Sequence, residues 1–226
     1  MPSYDEVADG LRMPVADAME TQRAIRRLRS DPVDDATVRR LLELAVKAPT
    51  GSNQQSWEFV VVRDPDVKHQ LARLNRQAWA VYRRMHRKRA RADYKHERIL
   101  DAVQWQADHF EEVPVIVVAC LRGTRPVVPA LGASSYYGSI FPAVQNLLLA
   151  ARAIGLGAAL TTLPLWSLRL ARRTLGLPRD VTPCALVPLG WPQGHYGPTT
   201  RRRVEEILHV DRYGNRAFLG TPGPAS

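Results

Sequence analysis

Apolar residues recur along this chain at two spacings, one typical of helices and one typical of buried strands. Helical spacing covers residues 15–28, the segment from Asp34 or Asp35 to Pro49, most of residues 66–111, the segment from Phe141 to Gly155, and residues 166–178. Asp34 or Asp35 can cap the second of these helices, and Gly155 can end the fourth. The pattern therefore predicts helices through much of the chain.

Shorter apolar runs, rich in β-branched residues, lie between these helices and predict buried strands. The runs are Trp57–Val62 and residues 113–121, 157–165 and 184–192. Because helices and strands interleave around few strands, we expect a layered sheet with helices on both faces. The chain has no internal repeat and no low-complexity linker, so we expect one domain over residues 1–226, with residues 1–14 and 216–226 loose.

The composition, with 45% hydrophobic and 24% charged residues among 226, is that of a globular protein. Cys120 and Cys184 each lie in an apolar run, which favours buried free thiols in a reducing compartment over a disulfide or a metal pair. Acidic residues near the N-terminus argue against a secretory signal. Residues 147–160 form the longest apolar region, which Arg152 interrupts and which is too short to span a bilayer. We expect a soluble, cytoplasmic protein with no membrane partner.

The net charge of +10 is concentrated in residues 83–98, where eight Lys or Arg residues accompany only Asp93 and Glu97. Such a segment can bind nucleic acid or another anionic partner, or it can be a solvated helix face. The sequence has no helix-turn-helix, zinc-finger or aromatic RNA-binding signature, so we favour the solvated face and expect no nucleic-acid partner.

Motifs of the common hydrolases and metalloenzymes are missing from the chain. It has no Gly-x-Ser-x-Gly elbow, Walker loop, His-Glu-x-x-His pair or Gly-rich dinucleotide fingerprint, and its six histidines lie far apart in sequence. We therefore expect no bound metal and no catalytic nucleophile.

Groups that bind anions and planar amides remain, at three separate points of the chain. Arginines occur at positions 23, 26 and 27 and again at positions 201–203, and residues 50–55 carry hydroxyl and amide side chains. Arginine binds phosphate oxygens through two parallel hydrogen bonds, and Asn or Gln can both donate to and accept from a heterocycle edge. A phosphorylated planar cofactor would use both kinds of group.

Four blocks of this sequence resemble the nitroreductase-like family of FMN-dependent oxidoreductases. They are "RAIRRLRSDPVDD", "APTGSNQQSWEFVVV", "IFPAVQNLLLAARAIGLGAALTTL", and "LVPLGWPQ" followed by "RRRVEEIL", in the family's order from about residue 21 to residue 213. The resemblance implies an α+β fold with a central, mostly antiparallel sheet flanked by helices, and an intertwined homodimer.

The resemblance also implies a phosphate site. Arg23, Ala24 and Arg26 match the family's N-terminal phosphate-binding segment, and Arg201 matches the basic residue that joins it from the C-terminal region. Many members carry Arg at the position of Gln22 and Ser at that of Ala24, so we expect compensation from neighbouring arginines, namely Arg27, Arg202 or Arg203. Without the other blocks, these arginines would be interpreted as surface residues.

For the flavin ring, the resemblance implies a loop that crosses the dimer interface to the isoalloxazine and ribityl chain, comprising Pro49, Thr50, Gly51, Ser52, Asn53 and Gln55. Backbone N–H groups of Thr161, Thr162 and Leu163 are implied to face the hydride-accepting edge, and Tyr137, Ile140 and Phe141 to bind the substrate. The alternatives are an ordinary helix-to-strand loop anchored by Trp57, plain strand residues at 161 and 162, and a simple helix interface.

The favoured hypothesis is an oxidoreductase that passes hydride from NAD(P)H through FMN to a nitroaromatic, quinone or enone in a ping-pong reaction. Because FMN supplies the chemistry, no catalytic side chain is needed. Two alternatives stay open: a basic module that stores flavin or binds nucleic acid or another anionic partner without turnover, and a reductive dehalogenase or flavin-consuming enzyme on the same fold.

Overall fold

The computed structural model describes residues 9, 11–90, 94–123 and 129–216, and their side chains except those of residues 86–90, 94–96 and 129–132. In this described part four strands form one sheet in the order β1-β2-β4-β3, with every neighbouring pair antiparallel. The strands are β1 (Trp57–Val62), β2 (Val115–Arg122), β3 (Gly157–Ala158) and β4 (Val181–Gly190). The mostly antiparallel α+β fold is thereby confirmed. Most of the two ends that we expected to be loose lies outside the described residues.

Helices surround this sheet. They are α1 (Val15–Thr21), α2 (Asp35–Ala45), α3 (Pro65–Ala90), α4 (Tyr94–Asp108), α5 (Pro129–Gly138), α6 (Phe141–Ala153) and α7 (Leu168–Thr174). Asp34 caps α2 as expected, since its carboxylate accepts hydrogen bonds from the backbone N–H and the hydroxyl of Thr37 at 2.7 and 2.6 Å. Gly155 follows α6 with a φ of 81°, a conformation that glycine adopts without strain.

Strands β2 and β4 are buried on both faces, which is why their sequences are almost continuously apolar. On one face, Val117 of β2 belongs to a buried cluster with Leu41 of α2 and Leu147 of α6. On the other face, Val118 belongs to a second cluster with Leu71 of α3. Helices therefore cover both faces of the sheet, as the alternation of elements predicts.

The prediction of a helix over residues 15–28 is wrong in its second half. Helix α1 ends at Thr21, and the chain then runs extended beside the sheet. There the N–H of Ile25 donates to the carbonyl oxygen of Ala158 at 2.9 Å, and Leu28 forms a β-bridge with Pro192. Tertiary pairing, rather than helical spacing, decides the conformation of this segment.

The third predicted strand is also shorter than expected. Only Gly157–Ala158 is a strand, and Thr161 adds one bridge to Leu186 in β4. A short 3₁₀ turn, Leu163–Trp166, follows with Pro164 in its first turn. Because proline has no N–H to donate to a sheet, the pairing ends before it.

Cys120 and Cys184 are buried thiols that form no disulfide, as predicted. Cys120 belongs to the cluster with Leu71 and Cys184 to the cluster with Leu41, so the two thiols face opposite sides of the sheet. Burial raises the pKa of the Cys120 thiol to about 12, which keeps it protonated and unreactive. No helix in the described part of the chain is long and apolar enough to cross a membrane.

Candidate functional site

The two arginine-bearing segments lie side by side, although they come from opposite ends of the chain. The N–H of Arg29 donates to the Trp191 carbonyl at 2.8 Å, and the N–H of Gln193 donates to the Arg27 carbonyl at 3.0 Å. Further along, the N–H of Thr199 donates to the carbonyl of Glu20 at 2.8 Å. This antiparallel arrangement carries residues 198–201 to residues 23–26.

A cleft of about 660 Å³ opens between these two segments and helix α4. Four arginines from three segments of the chain line it, namely Arg23, Arg26, Arg98 and Arg201. Ala24, Pro198, Thr199, Thr200, Ile99 and Ala102 complete the described lining. The expected grouping of Arg23, Ala24, Arg26 and Arg201 is therefore present. We call this cavity the arginine cleft.

Arg26 is the least exposed of the four arginines that line the arginine cleft. It is half-buried, and desolvation lowers the pKa of its guanidinium. Among the residues that the structure describes, no carboxylate or hydrogen-bond acceptor pairs with Arg26, whereas Arg122 bonds Glu58 at 2.7 Å and Asp180 at 3.0 Å. A desolvated cation without a counterion costs free energy, so the arginine cleft is suited to an anion.

Three arginines that were expected to contribute to the site do not line the arginine cleft in the described part of the chain. Arg203 forms an ion pair with Glu205 at 3.3 Å, and the neighbouring Arg202 pairs with Glu206 at 3.1 Å. Arg27 is exposed and is not part of the described lining of the arginine cleft. Arg27 and Arg203 are therefore not among the described residues that line the arginine cleft, whereas Arg98 is.

Arg98 was not predicted as a site residue, because nothing in the sequence separates it from the other basic residues of segment 83–98. In the structure Arg98 lines the arginine cleft, and Arg83 donates to Gln104 Oε1 at 2.7 Å. The ends of the basic segment thus make contacts within the chain, beyond the solvated face that we favoured. The side chains of residues 86–96 lie outside the described part.

Helix α4 also reaches the segment expected to face the flavin edge. Leu163 packs against the buried cluster formed by Trp79 of α3 with Leu100 and Ala107 of α4. Thr161 is almost completely buried, and its N–H donates a hydrogen bond to the Leu186 carbonyl at 2.9 Å. The Leu163 N–H donates to Thr161 Oγ1 at 3.3 Å.

Thr162 lies between these two residues and is exposed. Its N–H has no acceptor among the described residues, in contrast to the N–H groups on either side. Of the three backbone donors expected here, Thr162 N–H is thus the one that remains available to a ligand.

The amide loop, residues 50–55, has an unusual backbone. Ser52, Asn53 and Gln55 have φ angles of 51°, 51° and 49°, in the left-handed region that residues other than glycine seldom adopt. Internal bonds hold the loop, since Gln55 Nε2 donates to Asn53 Oδ1 and Gln55 N to Thr50 Oγ1, both at 3.1 Å. Residues 51–55 are nevertheless exposed in the single chain, as is Pro49. Strain in an exposed loop of this kind is typical of ligand-binding segments.

The junction of α5 and α6 anchors the amide loop. Gly51 N donates to Ser139 Oγ at 3.3 Å, and Trp57 Nε1 donates to the Ser139 carbonyl at 2.8 Å. A Cβ atom at Gly51 would lie 3.1 Å from Ser135 Oγ, so only glycine fits without displacing that side chain. The loop and the start of α6 therefore form one unit.

Two of the three expected substrate-binding residues are accessible at this junction. Phe141 is 39% exposed, and its ring centroid lies 6.4 Å from that of the half-buried Tyr137. Ile140, in contrast, is completely buried in the core cluster of Leu41 and Leu147. In this chain Ile140 packs in the core next to the junction, so it is not accessible for the expected direct contact with substrate.

The predicted site residues thus fall into two clusters, the arginine cleft with its neighbour Thr162, and the amide loop with the α5–α6 junction. Among the described residues, no group of three or more His, Cys, Asp or Glu side chains is arranged to hold a metal ion. The polar groups that are present, guanidinium, amide and backbone N–H, suit an anion attached to a heterocycle.

Comparison with known proteins agrees with this architecture. The sequence profile of the Nitroreductase family matches residues 19–191. An NADH dehydrogenase of Thermus thermophilus is 30% identical over 214 residues, which cover 87% of this chain and 97% of that protein. Iodotyrosine deiodinase 1 of Rattus norvegicus is 27% identical over 195 residues, 85% of this chain and 67% of the relative.

The fold itself is found in solved structures. The crystal structure of oxidized iodotyrosine deiodinase bound to FMN and 3-iodo-L-tyrosine aligns with a TM-score of 0.68 at 23% identity, covering 89% of this chain and 100% of that one. The match of the family profile to residues 19–191, which are more than half of the chain, shows that the chain belongs to the nitroreductase family.

Proposed function

We propose that this protein is an FMN-dependent oxidoreductase that transfers hydride from NAD(P)H to an electron-poor small molecule by a ping-pong mechanism. The observation that carries the proposal is the arginine cleft, in which Arg26 is half-buried and has no partner among the described residues. A phosphomonoester carries between about 1.5 and 2 negative charges at neutral pH, which matches such a site.

The residues of this chain fit FMN in two ways. Arg23, Arg26 and Arg201 would hold the phosphate through charge-assisted hydrogen bonds. Thr162 N–H is an available donor for the edge of the ring, where it would stabilise negative charge without a side-chain acid. When bound, FMN supplies the chemistry of accepting and giving hydride, and the chain supplies binding and orientation.

The amide loop would serve the flavin of a second subunit, so we propose a homodimer. The loop is exposed in the single chain although three of its residues adopt the left-handed conformation. Contacts with a partner subunit and its cofactor would offset the part of this strain that the internal hydrogen bonds of the loop do not offset. Tyr137 and Phe141, next to the loop, would then line the space for the acceptor.

The decisive experiment is spectroscopic. Purified protein should be yellow, with a flavin absorption band and FMN released on denaturation. Under anaerobic conditions NADH or NADPH should bleach the band, and a nitroaromatic or a quinone should restore it. Colourless protein that also fails to take up added FMN would refute the proposal.

A second candidate is reductive dehalogenation, which the similarity to rat iodotyrosine deiodinase favours. In that reaction a carbon–halogen bond is replaced by a carbon–hydrogen bond, with two electrons from the reduced flavin, one proton, and release of halide. Reduced protein would be mixed with 3-iodotyrosine or with a nitroaromatic, and iodide release compared with nitro reduction. Iodide release alone would select the second candidate.

A further inference from the structure

We propose that Gly157 of β3 is a positioning residue for phosphate binding. Because it has no side chain, it lets residues 23–28 lie close against the sheet, and this sets where Arg23 and Arg26 stand in the arginine cleft. The inference rests on the proposed function, since it concerns how the chain would hold the phosphate of FMN. Gly157 is buried and is not part of the described lining of the cleft, so it would act through the arginines alone.

The space next to Gly157 is filled by the arginine-bearing segment. A Cβ atom at position 157 would lie 2.5 Å from Leu28 Cδ2 and 2.9 Å from Ile25 Cγ2. Cβ atoms in folded proteins essentially never approach another heavy atom within 3.0 Å, so a side chain here would require its neighbours to move. The φ of Gly157 lies outside the left-handed region, so its backbone conformation is open to alanine. Close approach alone therefore requires glycine at this position.

The arginine-bearing segment, rather than β3, would have to move. The Gly190 carbonyl oxygen would also lie 3.3 Å from the added Cβ atom, and Gly157 pairs with Gly190 in the sheet, so β3 is held against β4. Leu28 is only 5% exposed and packs in the cluster of Leu71, which restricts its side chain. Cγ2 of Ile25 is bonded directly to Cβ and moves chiefly with the backbone, because χ1 of β-branched residues is restricted.

A displacement of Ile25 and Leu28 would reach the arginines. Arg26 lies between these two residues in the sequence, and Arg23 lies two residues before Ile25. The N–H of Ile25 donates to the carbonyl oxygen of Ala158, the residue after Gly157, at 2.9 Å, so the segment is paired at the point where the added methyl group would act. Charge-assisted hydrogen bonds are short and directional, so a small shift of a guanidinium weakens its hold on phosphate.

Binding of two ligands tests the positioning role. FMN and riboflavin would be titrated into the flavin-free parent, Gly157→Ala and a control, Gly194→Ala. Gly194 is exposed, and an added Cβ atom there would have no described neighbour within 4 Å. Gly157→Ala should bind FMN about 10-fold more weakly, as the displacement of a charge-assisted hydrogen bond implies. Gly194→Ala should bind FMN like the parent, and riboflavin, which lacks the phosphate, should bind all three proteins within about 2-fold.

A second substitution tests the route from Gly157 to the arginines. Leu28→Ala removes the atom nearest to the added Cβ atom, while the approach to Ile25 Cγ2 at 2.9 Å remains. Relative to Leu28→Ala, the double variant Leu28→Ala/Gly157→Ala should therefore bind FMN only about 3-fold more weakly. The same 10-fold loss in both backgrounds would show that packing of Leu28 on Gly157 does not transmit the effect, and it would overturn the proposal.

The outcomes separate this inference from the proposed function. A parent that binds neither flavin rejects both. A parent that binds FMN, with Gly157→Ala binding FMN equally well or losing riboflavin to the same extent, rejects the positioning role alone. If Gly157→Ala does not fold, the comparison of the double variant with Leu28→Ala takes its place. A loss of about 3-fold for FMN, without a loss for riboflavin, is then the expected result, and equal binding of FMN rejects the role.

Discussion

The guanidinium of Arg152 lies over the ring of Tyr196, with Cζ 4.2 Å from the ring centroid. The same guanidinium donates through Nε to Thr21 Oγ1 at 2.8 Å, and the Tyr196 hydroxyl donates to the Leu156 carbonyl. Thr21 and Tyr196 stand just before the segments that carry Arg23 and Arg201. One side chain of α6 therefore ties both walls of the arginine cleft to the core.

Arg152→Ala should loosen both walls at once. The loss of a cation–π contact and one hydrogen bond should lower the free energy of unfolding by roughly 1–2 kcal/mol in denaturant titrations. Binding of FMN should weaken as well, because the walls are no longer held in register. Arg169→Ala, a helical arginine outside these contacts, is the control; equal effects of the two changes would show that Arg152 has no special role.

Replacement of Arg26 should separate stability from function. Arg26→Met removes a half-buried cation that has no partner among the described residues, so the flavin-free protein should be as stable as the parent or more stable. FMN binding should nevertheless weaken by roughly 1.5–3 kcal/mol, and riboflavin binding should not change. Calorimetry gives both quantities.

The matched control for this prediction is Arg39→Met, which removes an exposed arginine that pairs with Glu43 on α2. It should leave FMN affinity unchanged. A loss of stability in flavin-free Arg26→Met comparable to that of a buried ion pair would mean that Arg26 already has a partner, and the anion site would have to be placed elsewhere.

Replacement of Asn53 tests whether the amide loop takes part in FMN binding. Asn53→Gly removes the side chain that accepts from Gln55 Nε2 and permits the φ of 51°, so it isolates the amide from the backbone strain. We expect FMN binding to weaken by about 1–3 kcal/mol, or flavin reduction by NAD(P)H to slow correspondingly. Gln54, which is exposed and has ordinary right-handed φ and ψ, provides the control Gln54→Ala. Equal, small effects at both positions would make the loop an ordinary solvated turn.

The oligomeric state follows from the same loop. A protein of twice the 25.3 kDa chain mass should be found by light scattering coupled to size exclusion, with FMN bound. Dilution that yields monomer should release FMN in parallel, since each site would lose the amide loop of its partner. A monomer that keeps FMN and activity would contradict the two-subunit site.

Tyr196 should make the stability of the folded protein depend on pH in the alkaline range. Burial raises the pKa of its phenol to about 12, above the value near 10 of an unfolded tyrosine. Between these two pH values the folded state binds the phenolic proton more tightly than the unfolded state does. The contribution of Tyr196 to the free energy of unfolding is therefore complete below pH 10 and is lost as the pH rises towards 12.

Tyr196→Phe removes this group, and its hydrogen bond to the Leu156 carbonyl, without removing the ring. The parent should therefore be more stable than the variant at pH 8, and the difference should shrink by roughly 1–2 kcal/mol between pH 9.5 and pH 11.5. Unfolding in urea at each pH measures it. A constant difference would show that the phenol is not desolvated.

Local signals in the sequence determined the elements whose conformation depends on neighbours along the chain. The bounds of β1 follow from a run of β-branched residues, and the cap at Asp34 follows from a short carboxylate just before a helical pattern. Resemblance indicated three of the four arginines that line the arginine cleft, namely Arg23, Arg26 and Arg201.

Tertiary structure alone decided the features that depend on distant partners. Residues 23–28 are extended because they pair with Ala158 and Pro192, although their spacing is helical. Ile140 is buried by the core beneath the junction, and Arg98 faces the arginine cleft only because α4 packs through Leu100 against Trp79. Contacts between residues far apart in the chain do not change the spacing of apolar residues in either segment, so the sequence pattern by itself could not predict them.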